Sequence, residues 1–332
     1  MNSKKNAVKN IIEEISIFDF ENLYFGNFDD EKNGTGVSVI TSKQAFACGI
    51  DIRGGGPASR ETHLLNTNSA AEKINAVVLA GGSAFGLDCA GGVMKYLEEK
   101  DIGFETGVTK VPLVCTSCIF DLQVANKNVR PDFNMGYSAA KNAFENNFSE
   151  GNHGCGTGAT VGKVCGAEYM TKSGIGAYAL KIGDLKAGAI VCTNALGEVF
   201  DNNKIIAGML NKEKNGFESC VEKMYDIIKP DNPFVKNTTI GAVFTNAKFD
   251  KAQLNKLAAF ASNALVRRIR PVNTTADGDT MYAISAGDIQ ADINVCGMLM
   301  QKAAEKAIVR SVMCAKEAYG LKCASSFNQA KS

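Results

Sequence analysis

The sequence predicts a layered α+β fold in which antiparallel sheets are covered by helices. Its strand-like segments come in hairpins, and its helix-like segments come in separate pairs. The strict β-α-β alternation that would indicate a Rossmann-type parallel sheet is not present. With 332 residues and 45% hydrophobic content, the chain can form two domains or one large one.

The first part of the chain contains three recognisable patterns. Residues 1–33 are polar and charged, and they predict a short helix followed by an arm. Residues 37–40 and 44–52 alternate between apolar and polar side chains around Thr41-Ser42-Lys43, which predicts a β-hairpin. Residues 76–79 are predicted to form a buried strand. The glycine-rich segment 81–86 is then predicted to open a helix with Leu87, Ala90, Met94 and Leu97 on one side.

The second part begins with another glycine-rich loop, residues 154–163, which leads into antiparallel strands up to residue 199. Residues 201–237 are the most charged and least strand-like part of the chain. A proline-containing loop, residues 229–233, precedes an apolar run at 240–244 that is typical of a buried strand. Two amphipathic helices follow. Their predicted core positions are Leu254, Leu257, Ala261 and Leu265, and then Val295, Leu299, Ala303 and Val312 within residues 293–318.

Charge and cysteine content limit the partners and the location that we expect for the protein. The net charge of +1 does not favour nucleic acid or an anionic membrane as a partner. No apolar run reaches the roughly 18–20 residues of a membrane span, and no signal-peptide core follows the basic N-terminus. Eleven scattered cysteines, an odd number, favour reduced thiols and therefore a cytoplasmic location.

Two histidines, His63 and His153, are few for an enzyme that uses a Ser-His-Asp triad, a Cys-His pair or a zinc ion. We therefore expect no metal and no cofactor. Neither glycine-rich loop has the spacing of a nucleotide-binding loop, and Val164 replaces the hydroxyl residue that should follow Lys163 in a P-loop. The glycines are better suited to bring backbone N–H groups close to a substrate or an oxyanion.

The junction between Asn237 and Thr238 indicates a site of self-cleavage. It lies between a polar loop and a buried strand, so the loop would expose the bond and the strand would hold a new terminus. A threonine freed there carries a nucleophilic hydroxyl and a basic α-amine on one residue. That amine titrates near pH 8, about 7.7–8.0 in model peptides, so it can serve as a base without histidine.

Other polar candidates are ambiguous by themselves. Asp277 and Asp279 flank a glycine, a pattern equally typical of a solvated turn. Lys163 would ordinarily be a surface lysine, and Asn194 a turn residue. The Asn-Thr-Thr sequence recurs at residues 273–275, where we expect a turn.

Several segments together, in order, resemble one family, which contains L-aminopeptidase/D-amidase-esterases, β-peptidyl aminopeptidases and nylon-oligomer hydrolases. The matching segments are residues 51–55 with 61–62, 80–87, 156–163, 237–240 and 277–280. The resemblance, closest to the nylon-oligomer branch, implies a four-layer α-β-β-α sandwich with mostly antiparallel sheets and an N-terminal-nucleophile amidohydrolase. It also implies a single catalytic domain, residues 1–332, that is cut into fragments 1–237 and 238–332. The fragments stay together, and the cleaved pairs assemble into homo-oligomers, often tetramers.

The resemblance also implies roles for individual residues. Thr238 would be the nucleophile, and its own α-amine the base. Lys163 would lower the pKa of that amine, Asn194 would stabilise the oxyanion, and Asp277 with Asp279 would orient the amine and hydroxyl. The predicted substrate-binding residues are Gly82, Ser83, Phe85 and Phe120. The nylon-oligomer branch has a tyrosine where this chain has Phe120, which cannot donate a hydrogen bond.

The leading hypothesis is a self-processing hydrolase of small peptides or ω-amino-acid oligomers that uses Thr238 as its nucleophile. One alternative is an acyltransferase of the ornithine-acetyltransferase type, which needs an acyl acceptor that outcompetes water. The other alternative is an unprocessed, non-catalytic protein with the same fold.

Overall fold

The computed structural model describes residues 11–226 and 237–327. Five α-helices lie in these residues: α1 (Cys89–Glu99), α2 (Phe133–Phe144), α3 (Cys220–Tyr225), α4 (Lys251–Arg268) and α5 (Ile293–Met313). The strands are β1 (Ile12–Ile15), β2 (Tyr24–Asp30), β3 (Thr35–Ile52), β4 (Ala58–Arg60), β5 (Ile74–Ala80), β6 (Phe104–Glu105), β7 (Lys110–Val111), β8 (Val114–Cys118), β9 (Thr160–Val161), β10 (Thr171–Lys172), β11 (Ile175–Ile182), β12 (Leu185–Asn194), β13 (Glu198–Asp201), β14 (Lys204–Ala207), β15 (Thr238–Ala247), β16 (Ile269–Arg270) and β17 (Thr280–Ile289).

Ten of these strands form one bent sheet in the order β1-β11-β12-β15-β17-β3-β5-β8-β4, with β2 also paired to β3. The long strand β3 joins its two halves. Its first part pairs with β2 and β5, and its last part pairs with β17. Only the β15–β17 and β5–β8 pairs of this sheet are parallel, so the predicted antiparallel character is confirmed.

Three buried clusters show how the layers stack. Phe25 and Leu79 from one half of the sheet meet Phe244 and Tyr282 from the other, in a core between the two halves. On the outer face of the half that contains β15, helices α4 and α5 pack over Val243. Helices α1 and α2 cover the opposite outer face. The result is the expected four-layer α-β-β-α sandwich.

The position of β15 between two cores explains why the sequence of this strand is almost continuously apolar. Ile240, Ala242 and Phe244 point into the core between the sheet halves, whereas Val243 points toward α4 and α5. A strand buried on both faces needs apolar residues at both odd and even positions. The alternation also directs the Thr238 side chain into the interior of the sandwich.

The helices behind β15 match the sequence prediction closely. Asp250 and Gln253 form a capping box at the start of α4, and the four predicted core residues of this helix are buried. Helix α5 ends at Met313, earlier than the predicted residue 318. The prediction for Val295 is wrong, because this side chain lies on the outer side of α5 and is 47% exposed.

Two predictions for the N-terminal part are wrong. Residues 11–33, expected as a helix and an arm, contain strands β1 and β2, which pair with β11 and β3. The expected hairpin at residues 37–52 is the single strand β3. Its register against β5 shifts between Thr41 and Phe46, where the strand passes from one sheet half to the other. The turn-like residues 41–43 therefore lie at a bend within the strand.

Residues 1–10 and the predicted proline-containing loop at 229–233 lie outside the described residues. In the parts that are described, no helix has both the length and the apolar character needed to cross a membrane.

Candidate active site

Thr238 is the first residue of β15, and only 4% of it is exposed. Its hydroxyl donates a hydrogen bond to the carbonyl oxygen of Asn237, the residue before it. The Asn237 N–H donates to the Ala276 carbonyl at 3.0 Å. The predicted cleavage site is therefore held in place, with the attacking hydroxyl beside the carbonyl that it would attack.

The Asn237 carbonyl oxygen has a second donor that sequence reasoning missed. The backbone N–H of Gly278 lies 2.8 Å from it. A donor at this distance is suited to stabilise negative charge that develops on the oxygen during attack. The sequence indicates the two carboxylates of segment 277–279, but the glycine between them supplies the backbone donor to the scissile carbonyl.

Gly278 is positioned by the glycine turn at residues 54–56. The Gly56 N–H donates to the Asp277 carbonyl at 2.8 Å, and the Gly54 N–H donates to the Asp279 carbonyl at 3.3 Å. A Cβ atom at Gly54 would lie 2.4 Å from the Asp277 carbonyl oxygen. The close approach of these two backbones thus requires glycine at position 54.

Gly54→Ala is expected to slow self-cleavage about tenfold or more, because the added Cβ would push residues 277–279 away from Asn237. The matched control is Gly216→Ala, where the new Cβ would lie 3.5 Å from the Asn211 side chain, an ordinary contact. Timed gel analysis of freshly made precursor measures both rates. An unchanged rate in Gly54→Ala would remove the glycine turn from the site.

The two predicted carboxylates are buried beside the scissile bond. Asp279 accepts from the Thr239 N–H at 2.6 Å and from the Asn273 N–H at 2.9 Å. Asp277 accepts from the Thr274 N–H and hydroxyl, both at 2.7 Å. In this uncut chain they hold the backbone around Thr238, and their predicted action on the free amine stays a prediction.

Burial raises the pKa of both carboxyl groups. For Asp279, burial and then the neighbouring charge of Asp277 raise the pKa to about 7. For Asp277, burial is opposed by hydrogen bonds from Thr274 and by the charge of Lys163. The site therefore contains carboxyl groups that titrate closer to neutral pH than ordinary aspartates do.

Lys163 and Asn194 are both buried, so the interpretations as a surface lysine and a turn asparagine are wrong. Asn194 is the last residue of β12 and is the direct partner of Thr238 in the β12–β15 ladder. The Lys163 ammonium donates to the Asn194 side-chain oxygen at 2.6 Å and to its backbone carbonyl at 3.0 Å. Burial lowers the pKa of Lys163 to about 7, against the charges of Asp277 and other nearby groups.

The Asn194 amide is oriented from both ends. Its oxygen also accepts from the Thr160 N–H at 3.1 Å, while its nitrogen donates to the Phe120 carbonyl at 3.0 Å. A side-chain amide has two N–H groups, so one remains for another acceptor. The predicted oxyanion role of Asn194 stays a prediction, and this geometry is compatible with it.

The predicted substrate-binding residues fall into two groups. Phe120 contacts Asn194 through its carbonyl, and the Gly82 N–H donates at 2.7 Å to Asp121, the residue after Phe120. Ser83 has a positive φ of 54° and donates from its N–H to the Ile119 carbonyl. Phe85, in contrast, is 57% exposed, and its ring stacks against the Arg130 guanidinium.

Two buried charged residues near this network were not predicted. Asp121 accepts from Gly82 and from the Thr35 hydroxyl at 2.7 Å, and burial raises its pKa to about 6. Lys172 is fully buried, and burial lowers its pKa to about 7. In the sequence, no pattern around Asp121 or Lys172 distinguishes them from ordinary charged surface residues.

A four-layer α-β-β-α sandwich that presents a threonine at the start of a central strand is typical of N-terminal-nucleophile hydrolases, which act on amide bonds. The chain belongs to Peptidase family S58, which its sequence matches over residues 16–325. This match confirms the family expected from the motifs. The protein is thus a hydrolase of amide bonds.

Curated relatives cover most of the chain. An uncharacterized aminopeptidase of Mycobacterium leprae is 34% identical over 267 residues, which are 77% of this chain and 72% of that protein. A 6-aminohexanoate-oligomer endohydrolase of Kocuria sp. is 29% identical over 82% of this chain and 75% of its own length.

Two solved structures share the fold. A beta-aminopeptidase of Burkholderia sp. superimposes with a TM-score of 0.61 and 15% identity, covering 90% of this chain and 87% of its own. The L-aminopeptidase D-Ala-esterase/amidase of Ochrobactrum anthropi is described as a variant of the Ntn hydrolase fold. It superimposes with a TM-score of 0.58 and 16% identity, covering 90% of this chain and 85% of its own. The predicted fold class is therefore confirmed.

Proposed function

We propose that the chain cuts itself between Asn237 and Thr238 and then hydrolyses amide bonds of small peptides or ω-amino-acid oligomers. The observation that carries this proposal is the environment of the Asn237 carbonyl oxygen. It lies between the Thr238 hydroxyl and the Gly278 N–H, the arrangement expected for attack by that hydroxyl on that carbonyl.

In the first reaction, Thr238 Oγ bonds to the Asn237 carbonyl carbon, and the Asn237–Thr238 C–N bond breaks. The acyl group moves from nitrogen to oxygen, the hydroxyl proton passes to the departing nitrogen, and the α-amine of Thr238 becomes free. Water then hydrolyses the ester, which leaves a carboxylate on Asn237 and restores the Thr238 hydroxyl. The Gly278 N–H stabilises the oxyanion in this step.

In the second reaction, the same oxygen attacks the carbonyl carbon of a substrate amide. The Thr238 α-amine takes the hydroxyl proton and passes it to the leaving amine, so that an acyl-enzyme forms. Water then releases the acid. Asn194 supplies an N–H to the oxyanion, and the Lys163 ammonium lowers the pKa of the α-amine, which favours its unprotonated form.

The substrate class is supported by the names of the relatives, which include aminopeptidases and 6-aminohexanoate-oligomer endohydrolases. Both kinds of substrate are linear amides. Phe120 has no hydroxyl group, so a substrate here forms no side-chain hydrogen bond at this position.

The two fragments would remain associated after the cut. Strand β15 of fragment 238–332 pairs with β12 of fragment 1–237, and β17 pairs with β3.

We also propose that cleaved pairs form a homo-oligomer, as a tetramer, in the cytoplasm. The assembly is supported by exposed apolar side chains such as Met298 on α5. The location is supported by eleven free cysteines. Light scattering of the purified protein tests the assembly.

Denaturing mass analysis of freshly purified protein, with N-terminal sequencing of any small fragment, tests the proposal. The expected small fragment comprises the 95 residues from Thr238 to Ser332. An intact chain with no amide turnover would favour the non-catalytic alternative. Transfer of the acyl group to an added amine in preference to water would favour the acyltransferase alternative.

The Lys163→Met variant is expected to need a higher pH for turnover. Without the neighbouring ammonium, the Thr238 α-amine holds its proton more tightly, so its pKa rises by roughly one unit. Because the amine acts as a base only when unprotonated, the acid limb of the kcat–pH profile should move to higher pH. A control is Lys251→Met, which removes a buried lysine on α4. An unmoved acid limb in Lys163→Met would contradict the electrostatic role.

A further inference from the structure

Lys172, in β10, is a buried lysine that the proposed reaction does not use. Its ammonium donates to three backbone carbonyls: Gly156 at 3.0 Å, Ala159 at 3.1 Å and Ser173. A buried ammonium is costly unless its donors are satisfied, and three carbonyls match its three N–H groups. Two of the carbonyls belong to the glycine-rich loop that leads to Lys163.

The carbonyl of Ala159 connects Lys172 to the candidate active site. The peptide group that joins Ala159 to Thr160 accepts from the Lys172 ammonium through its oxygen. The N–H of the same peptide group donates to the Asn194 side-chain oxygen at 3.1 Å. A charge-assisted hydrogen bond at the oxygen polarises the peptide and makes its N–H a stronger donor.

Asn194 is thus held on one side by two lysines. Lys163 contacts the side-chain oxygen directly at 2.6 Å, and Lys172 acts on it through one peptide group. With its oxygen bound in this way, the amide must direct its nitrogen to the other side, where it donates to the Phe120 carbonyl.

We propose that Lys172 is a positioning residue that acts through the Ala159–Thr160 peptide and sets the orientation of the Asn194 side-chain amide. It thereby fixes the direction of the one Asn194 N–H that the Phe120 carbonyl does not take, the group that stabilises the oxyanion in the proposed function. This inference rests on the proposed function, in which Asn194 stabilises the oxyanion.

A double-mutant cycle tests whether Lys172 acts through Asn194. The four cleaved proteins are the wild type, Lys172→Met, Asn194→Ala and the double variant, assayed with alanine p-nitroanilide. We expect Lys172→Met to lower kcat about tenfold to a hundredfold, with KM within about twofold. In the Asn194→Ala background the same substitution should have little further effect. Losses that multiply would overturn the proposal, because they would indicate a structural role independent of Asn194.

The chain offers a matched control in Lys251. This lysine is also buried, and its ammonium also contacts three backbone carbonyls: Leu64 at 3.5 Å, Ser69 at 2.7 Å and Ala71 at 2.8 Å. None of these carbonyls belongs to the peptide that contacts Asn194. Lys251→Met should therefore keep the wild-type kcat, even if it lowers thermal stability as much as Lys172→Met does.

A crystal structure of Lys172→Met gives a readout that does not depend on activity. The separation between the Thr160 nitrogen and the Asn194 side-chain oxygen should increase beyond hydrogen-bond distance, while it stays near 3.1 Å in Lys251→Met. An unchanged separation together with an unchanged kcat would overturn the proposal. If Lys172→Met does not fold, Lys172→Gln keeps a neutral donor at this position, and we expect it to lose less activity.

The two hypotheses can fail separately. Wild-type kcat in Asn194→Ala would contradict the oxyanion role in the proposed function, and the crystal structure would still decide whether Lys172 orients Asn194. A wild type that does not cleave the anilide would argue against this substrate, again without affecting the structural test.

Discussion

The Thr238→Ala variant is expected to remain a single 332-residue chain with no amide hydrolysis. Alanine has no hydroxyl group to attack the Asn237 carbonyl, and an uncut chain has no free α-amine at position 238. Because one residue supplies both the nucleophile and the base, we expect both activities to fall below detection. Denaturing mass analysis and an assay with alanine p-nitroanilide measure the two losses.

The fold of this variant should be intact. Thr238 is the first residue of β15 and belongs to neither neighbouring core, and within the described residues its hydroxyl bonds to the adjacent carbonyl. Truncation therefore leaves the cores unchanged. Circular dichroism and thermal unfolding verify this. Thr238→Ser, which keeps a hydroxyl group, is the control and should still process. Full turnover by Thr238→Ala would refute the mechanism.

Asn194→Ala is expected to lower kcat about a hundredfold to a thousandfold, the usual cost of removing one oxyanion donor. KM should change much less, because the lost hydrogen bond forms mainly in the transition state. Steady-state kinetics of the cleaved enzyme separate the two parameters. Equal kcat in the variant and the wild type would remove Asn194 from the oxyanion role.

Loss of the Asn194 side chain also removes its structural hydrogen bonds, so a matched asparagine is needed as a control. Asn255, on α4, likewise bridges two backbone groups: it accepts from the Ile50 N–H at 2.8 Å and donates to the Leu65 carbonyl at 3.2 Å. Asn255→Ala should affect stability and leave kcat near the wild-type value. A similar fall in kcat for both variants would indicate a general loss of structure.

The parts of the fold that were predicted correctly depend on local sequence. The core face of α4 follows from the spacing of its apolar residues and from the cap at Asp250, both of which lie within the helix. The hairpin prediction for β3 was wrong because Thr41-Ser42-Lys43 resembles a turn. Pairing with β5 and β17 keeps this segment extended. Strands β1 and β2 likewise depend on partners distant in sequence.

The same division applies to the candidate site. Thr238 was identified from its neighbours, since a polar loop before it and an apolar strand after it are visible in the sequence. Sequence alone thus determined the family, the layered fold class and the position of the candidate nucleophile. Only the tertiary structure decided that the Gly278 N–H faces the Asn237 carbonyl and that Lys172 reaches the peptide beside Asn194. The reason is physical: the direction of a backbone N–H and the burial of an ammonium depend on segments that meet only when the chain folds.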